Sequence, residues 1–280
     1  MQGKTVLITG GTTGIGFTTA RTLAARGAAV TIVGRNPQRG EQAVRAIRVA
    51  VKGADIRFER ADLSLLDENR RLARIVAESM DHLDVLINNA GAVFMRRQVT
   101  ADNLEATFAL NHMSYFLLTN LLLDRLRAAE AGRIIVVASI AHQRTVLNFD
   151  DLQCAQRYSA RTAYSRSKLA NIMFTYALAR RLKDSSVTVN ALHPGIVASR
   201  FGSNNGWLFR NVIRIGFRLL GAVSVEEGAA LSIQLASDPA LTGVSGRYFS
   251  GSGEAVSSPA SLSVEDQERL WAASDDIAAG

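Results

Sequence analysis

Thr5-Val-Leu-Ile-Thr9-Gly10-Gly11-Thr12-Thr13-Gly14-Ile15-Gly16 is the stretch that decides the fold of this chain. Its first five residues are apolar or β-branched and read as a buried strand. The glycines that follow permit a tight turn and let an anion approach the backbone. A helix opening near Gly14 aims free N–H groups and the positive end of its dipole at that anion. A glycine cluster alone is weak evidence. Placed between the first strand and the first helix of a βαβ unit, it reads as a dinucleotide-binding turn.

The rest of the 280 residues extends this pattern. Further strands are expected at 28–33, 55–59, 84–88, 133–138, 186–192 and 246–249. Helices are expected at 14–27, from Pro37 towards Ala50, and at 65–80, 101–112, 114–129, 162–182 and 225–236. Asn36-Pro37 supplies an N-cap and a proline at the first helical position. Short apolar runs separated by crossover-length helices describe a parallel sheet covered on both faces. The expected architecture is therefore α/β: one Rossmann-fold domain over 1–280, a doubly wound parallel sheet of about seven strands with helices on both faces. No Pro/Gly/Ser-rich linker interrupts it, and the four prolines are scattered singly. The helix around Phe116–Leu123 is apolar nearly all round, so it needs burial on a second face. Either it is a deep core helix or it forms a subunit interface, which leaves a homo-oligomer open.

Composition narrows the function classes. Cys154 is the only cysteine, so an intrachain disulfide is excluded and a reducing, cytoplasmic setting is expected. Strand-like residues begin at Thr5 and no run of 18 apolar residues occurs, so neither a secretory signal nor a transmembrane anchor is expected. The net charge of +7 comes almost wholly from arginines dispersed at helical spacing. Dispersal of this kind reads as solvated helix faces rather than a nucleic-acid surface.

Cofactor choice should show at the end of the second strand. An acid there would bond the ribose 2′-hydroxyl and repel a 2′-phosphate. This chain has Gly34, then Arg35 and Asn36, and the guanidinium fork suits a phosphate, so NADP(H) is expected. Tyr164-Ser-Arg-Ser-Lys168 puts a phenol and an ammonium one turn apart on a helix face. A nearby cation should lower the phenol's pKa from about 10, so that Tyr164 trades protons at neutral pH. By itself that spacing is unremarkable. Asn88-Asn89-Ala90-Gly91 closes the fourth strand, Ser139 ends the fifth and Pro194-Gly195 follows the sixth. The carboxyl ends of parallel strands share one edge, so these residues should converge with the glycine turn.

From about Gly3 to Ile277 the chain resembles the short-chain dehydrogenases/reductases, and most narrowly the branch holding vertebrate retinol dehydrogenases and the WW-domain oxidoreductase. The stretches that carry this are Asn148-Phe-Asp-Asp-Leu-Gln153, Ala163-Tyr-Ser-Arg-Ser-Lys-Leu-Ala-Asn171, His193-Pro-Gly195, Ser245-Gly-Arg-Tyr-Phe249 and Leu270-Trp271. The resemblance implies roles. Tyr164 would be the general acid/base, Lys168 would depress its pKa and bind the nicotinamide ribose, and Ser139 would bond the carbonyl oxygen. Asn111 would hold a water in a proton relay. Gly10, Thr12, Thr13, Gly14, Ile15 and Gly16 would cradle the phosphates. Asp62 and Leu63 would meet the adenine, and Asn89, Ala90 and Gly91 the ribose. Pro194, Gly195, Ile196 and Ser199 would lie at the carboxamide, Ser199 standing where the family often has threonine. No metal is implied.

Two segments should cover the substrate. Ser139 and Tyr164 stand 25 positions apart, and a loop this long near 142–161 should wall a pocket. It carries Cys154, read as a bystander, and His142, read as a polar loop residue or a substrate contact. The second, near 200–223, carries Arg210, Arg214 and Arg218 at helical spacing among large apolar residues. It reads as a lid or a membrane-surface helix. The expected activity is an NADP(H)-dependent oxidoreductase that interconverts a ketone or aldehyde and an alcohol on a hydrophobic small molecule. The alternative is a non-catalytic NADP(H)-binding sensor or protein-interaction relative.

Overall fold

The computed structural model describes residues 1–195, 223–251 and 253–280. Seven parallel strands and one short antiparallel strand form a single sheet in the order β3-β2-β1-β4-β5-β6-β7-β8. The strands are β1 (Thr5–Thr9), β2 (Ala29–Gly34), β3 (Ile56–Arg60), β4 (Val85–Asn88), β5 (Arg133–Val137), β6 (Thr188–His193), β7 (Arg247–Ser250) and β8 (Gly253–Glu254). The expected single Rossmann-like α/β architecture is what the chain adopts, with β8 added as a brief return beside β7.

Period-2 alternation splits the strands between two cores. Val6, Ile8, Val30, Ile32, Val85 and Ile87 face one side. There they meet α1 (Gly14–Ala25), α2 (Pro37–Ala50) and the later α7 (Val225–Ser237). Leu7, Leu86, Ile134 and Val136 face the other side. That side is covered by α3 (Leu66–Ser79), α5 (Ser114–Arg127) and the long α6 (Ala160–Arg181). Because the central strands β1, β4 and β5 are buried on both faces, their sequences are near-continuous apolar runs rather than alternating ones.

Two elements differ from expectation. No helix starts at 101; a turn is made there, with Asn103 at φ +59°. The buried Glu105 carboxylate then accepts the Thr107 and Phe108 N–H groups, starting the short α4 (Ala106–Phe108). A π-helical turn, Ala109–Met113, joins it to α5. The second difference is α8 (Val264–Ala279), which sequence periodicity did not reveal. Its signal was local: Ser263 caps it by accepting from Asp266 N, and Glu265 and Asp266 complement the dipole.

Helix α8 covers one face of the apolar helix. Trp271 packs edge-on against Phe116 at 5.0 Å and stacks on Phe174 at 5.8 Å, while α3 covers another face of α5. Phe116 through Thr119 are buried within one chain, so this part of α5 is core, while Leu121 on its outer side is exposed. Among the described residues no helix is long and apolar enough to cross a membrane.

Candidate active site

Strand order reverses between β1 and β4, and at such a switch point a crevice opens beyond the carboxyl ends of the strands. The cavity there has a volume of about 460 Å³. The loops after β1, β2, β3, β4, β5 and β6 line it, together with Tyr164 and Lys168 of α6.

The glycine turn is stitched to the loop after β4. Thr9 Oγ1 accepts the N–H groups of Asn89 (2.8 Å) and Ala90 (3.0 Å), and Asn89 Nδ2 donates to the carbonyls of Thr9 (2.8 Å) and Gly10 (3.2 Å). Gly10 and Gly14 sit at φ +66° and +57°, where glycine carries no steric penalty. A Cβ on Gly16 would stand 2.4 Å from the Gly10 carbonyl oxygen, so the third glycine is required by packing. Thr13 makes no side-chain cap bond, and the first turn of α1 carries no acid. The positive end of α1 therefore meets the cavity without a neutralising side chain. At the far end Arg35 and Arg39 are exposed and line the cavity, with neither an ion pair nor a side-chain hydrogen bond among the described residues. Asn36 Oδ1 is occupied in capping α2, accepting from Arg39 N at 2.9 Å. Asp62 Oδ1 fixes its own turn by accepting from Ser64 N and Oγ. A helix N-terminus, an open glycine cradle and two unpaired guanidiniums fit a phosphorylated dinucleotide.

At the other end, Ser139, Tyr164 and Lys168 come together. Lys168 is buried, and its Nζ donates to the Val137 carbonyl at 2.8 Å. It lies 5.9 Å from the centre of the Tyr164 ring and 5.5 Å from that of Tyr115. Ser139 Oγ accepts from Ala141 N at 3.2 Å and hydrogen-bonds the Tyr164 phenol. Burial pushes Tyr164 up to about 12, an effect the Ser139 bond partly offsets. Burial also pushes Lys168 down to about 7. The Tyr164 shift is opposite in direction to the one its spacing from Lys168 suggests, because desolvation of the phenolate outweighs a cation held on a backbone carbonyl. At neutral pH this phenol keeps its proton.

Asn111 is placed differently from expectation. It sits in the π turn behind the cavity wall, and both ends of its amide are engaged: Oδ1 accepts from Ala92 N, while Nδ2 donates to Ala92 O and Ser167 Oγ. Its carbonyl accepts from Asn171 Nδ2 at 2.8 Å. Asn171 Oδ1 in turn faces His112 Nδ1, and His112 Nε2 meets Ser274 Oγ of α8 at 2.9 Å. Asn111 thus ties the Gly91–Ala92 loop to α6. Asn89, expected at the ribose, lines the cavity but spends its amide on the glycine turn.

Gly10, Thr12, Thr13, Gly14, Ile15, Gly16, Arg35, Asn36, Asp62, Leu63, Asn89, Ala90, Gly91, Pro194 and Gly195 all line the cavity, as do Ser139, Tyr164 and Lys168. Ile196, Ser199 and the arginine-bearing segment at 206–220 lie outside the described residues. The 142–161 segment docks on the chain before α4: Tyr158 Oη donates to Phe94 O at 2.6 Å, and Gln153 Oε1 accepts from Glu105 N at 2.7 Å. Cys154 is buried with its thiol pushed up by desolvation, consistent with a bystander. His142 is fully buried and does not line the cavity.

Several wall residues escaped sequence reasoning. Arg39 was available from its spacing of four after Arg35. Phe94, Leu110 and Ile140 form apolar wall, and His193 lines the cavity with Nδ1 buried and unpartnered among the described residues. Nothing local in the sequence signalled Phe94, Leu110 or Ile140, whereas His193 opens the His193-Pro-Gly195 stretch.

Comparison with known proteins gives concordant results. Residues 4–206 match the family model described as short chain dehydrogenase. The chain is 40% identical to human retinol dehydrogenase 13 over 98% of its own length and 84% of that protein. A crystal structure of an uncharacterized protein from Mycobacterium paratuberculosis superposes with a TM-score of 0.80 at 30% identity, covering 99% of this chain and 94% of that one. A short chain dehydrogenase from Burkholderia cenocepacia J2315 in complex with NADP superposes with a TM-score of 0.70 at 28% identity, covering 89% and 96%.

Proposed function

The chain belongs to the short chain dehydrogenase family of oxidoreductases, and from that premise we propose that it is an NADP(H)-dependent reductase of ketones or aldehydes on a hydrophobic small molecule. The observation that carries this reading is the Tyr164 phenol, bonded by Ser139 and lining the same cavity as the glycine turn. When bound, the nicotinamide dinucleotide supplies the hydride chemistry. The chain's own contribution is to the substrate oxygen. Ser139 Oγ and Tyr164 Oη donate to it, and negative charge building there is met by two positioned hydroxyls. Tyr164 then transfers the proton from Oη to that oxygen. Lys168, one turn further on α6, offsets the phenolate left behind. In the reducing direction both hydroxyls act as donors to the substrate oxygen.

Arg35 and Arg39, with no acid after Gly34, support NADP(H) over NAD(H). The apolar wall of Phe94, Leu110 and Ile140 supports a hydrophobic substrate. So does the name of the retinol dehydrogenases it resembles. The docked 142–161 segment is assigned to the substrate side, and the setting to a reducing cytoplasm. The non-catalytic alternative has no observation in its favour, since the phenol and ammonium both face the cleft. The test is NADPH oxidation with a panel of hydrophobic aldehydes and ketones, comparing wild type with Tyr164→Phe. Turnover should fall by about 10²-fold or more with NADPH affinity retained. Equal turnover in the two proteins would remove Tyr164 from the mechanism.

A further inference from the structure

We propose that His142 is a positioning residue for Ser139, and that it takes its own position from the segment after β8 through the Ser258 backbone. The inference rests on the reading above for what Ser139 does, but its geometry stands separately. Ser139 lies two residues beyond the end of β5, where the chain has left the sheet, and its φ of −163° and ψ of 152° lead into the 3₁₀ turn Ile140–Arg144. A residue at that junction needs something other than its own strand to hold it. His142 supplies it. Its Nδ1 lies 2.7 Å from the Ser139 carbonyl oxygen, and its Nε2 lies 3.1 Å from the Ser258 nitrogen.

Elementary chemistry fixes the proton. A backbone N–H can only donate, so Nε2 must be the bare acceptor, and the carbonyl opposite Nδ1 can only accept. The imidazole is therefore neutral with its proton on Nδ1, bridging two elements far apart in sequence. A second proton on Nε2 would face the Ser258 N–H donor to donor, so protonation and bridging exclude one another. The groups facing the ring are Tyr248 of β7, edge-on at 5.1 Å, and His193 of β6, with Ser139 and Ser258 at the two nitrogens. Burial favours the neutral ring and outweighs the bond to the Ser139 carbonyl, which acts the other way. The residue is 0% exposed, so the ring cannot swing aside.

Ser258 is itself pinned. Its carbonyl accepts from Ser261 N at 2.9 Å, Ser257 Oγ shares a hydrogen bond of 2.7 Å with Tyr176 Oη of α6, and Gln267 Nε2 of α8 donates to Ser261 O at 2.7 Å. Through His142 the position of Ser139 is thus referred to α6, the same helix that carries Tyr164. That common reference is what a two-donor site for one oxygen requires.

Two measurements test this in the intact chain. Histidine ¹⁵N spectra at neutral pH should show His142 protonated at Nδ1 and bare at Nε2; the opposite tautomer would overturn the bridge. His142→Leu should lower kcat by about tenfold to a hundredfold while the NADPH dissociation constant stays within about twofold, because only the placement of a donor is lost. His142→Asn, which can still donate to the Ser139 carbonyl but cannot reach the Ser258 N–H, should recover part of that loss and guards against a His142→Leu protein that does not fold. Wild-type kcat in His142→Leu, or no recovery in a folded His142→Asn, would sink the proposal. A wild-type protein that reduces no carbonyl would instead refute the proposed activity, and the nitrogen spectra would still decide the tautomer.

Discussion

Substituting Gly16→Ala places one methyl group where the turn after β1 has no room for it. The new Cβ would stand 2.4 Å from the Gly10 carbonyl oxygen, 2.6 Å from Asn89 Nδ2 and 3.0 Å from the Gly10 carbonyl carbon. Ordinary contact begins near 3.4 Å, so the neighbours would have to retreat by almost an ångström, and two of the three atoms are backbone. Overpacking of this kind costs about 1–3 kcal/mol. The retreat also strains the bonds from Asn89 Nδ2 to Thr9 O and Gly10 O, each contributing roughly 1 kcal/mol. A loss of about 3 kcal/mol follows, which for a domain of this size lowers Tm by roughly 6–12 °C. Because the displaced carbonyl belongs to the phosphate-facing turn, NADPH affinity should fall more than tenfold as well. The assay pairs urea unfolding with NADPH titration. Gly253→Ala, where nothing lies within 4 Å of the new methyl, serves as the control and should change neither. If Gly16→Ala unfolds and binds NADPH like wild type, the turn is not packed against α1 as described.

Two other predictions concern charge. Arg35→Ala should weaken NADPH about tenfold or more, the worth of a charge-assisted bond to phosphate, and leave NADH nearly unchanged. Comparable losses for both cofactors, measured by titration, would overturn the assignment of NADP(H). The buried His112 is held from 6.5 down to about 4 by desolvation, so its folded pKa lies below its unfolded one. Its contribution to stability is full above pH 6.5 and is lost as pH falls through that window, at up to about 1.4 kcal/mol per pH unit and about 2 kcal/mol between pH 7 and 5. Urea melts of His112→Gln should therefore decline less steeply with acid than those of wild type. Parallel declines would show that His112 titrates normally.

Much of the fold was legible because its signals are local. Short apolar runs, crossover-length helices and glycines at a strand's end each reflect the preference of a few neighbouring residues, and parallel topology then sends every carboxyl end to one edge. That is why the residues after β1, β2, β4, β5 and β6 group from spacing alone. Helix α8 was missed although Ser263, Glu265 and Asp266 announced its start, because its polar faces blurred the periodicity. The helix expected from 101 was misjudged because a buried carboxylate, Glu105, moved the helix start downstream. Propensity does not register that kind of tertiary choice.

The sequence by itself determined the doubly wound α/β sheet, the glycine turn after β1, and the pairing of Tyr164 with Lys168 on one helix face, since these follow from spacing along the chain. Tertiary structure alone decided what each side chain has left to offer. Asn89 and Asn111 turn their amides to backbone groups rather than outward, and His142 is buried as a bridge instead of touching substrate. It also decided the sign of the Tyr164 shift. Proton affinity depends on how much water a group loses and on what lies opposite it in space, and neither is written in the order of residues.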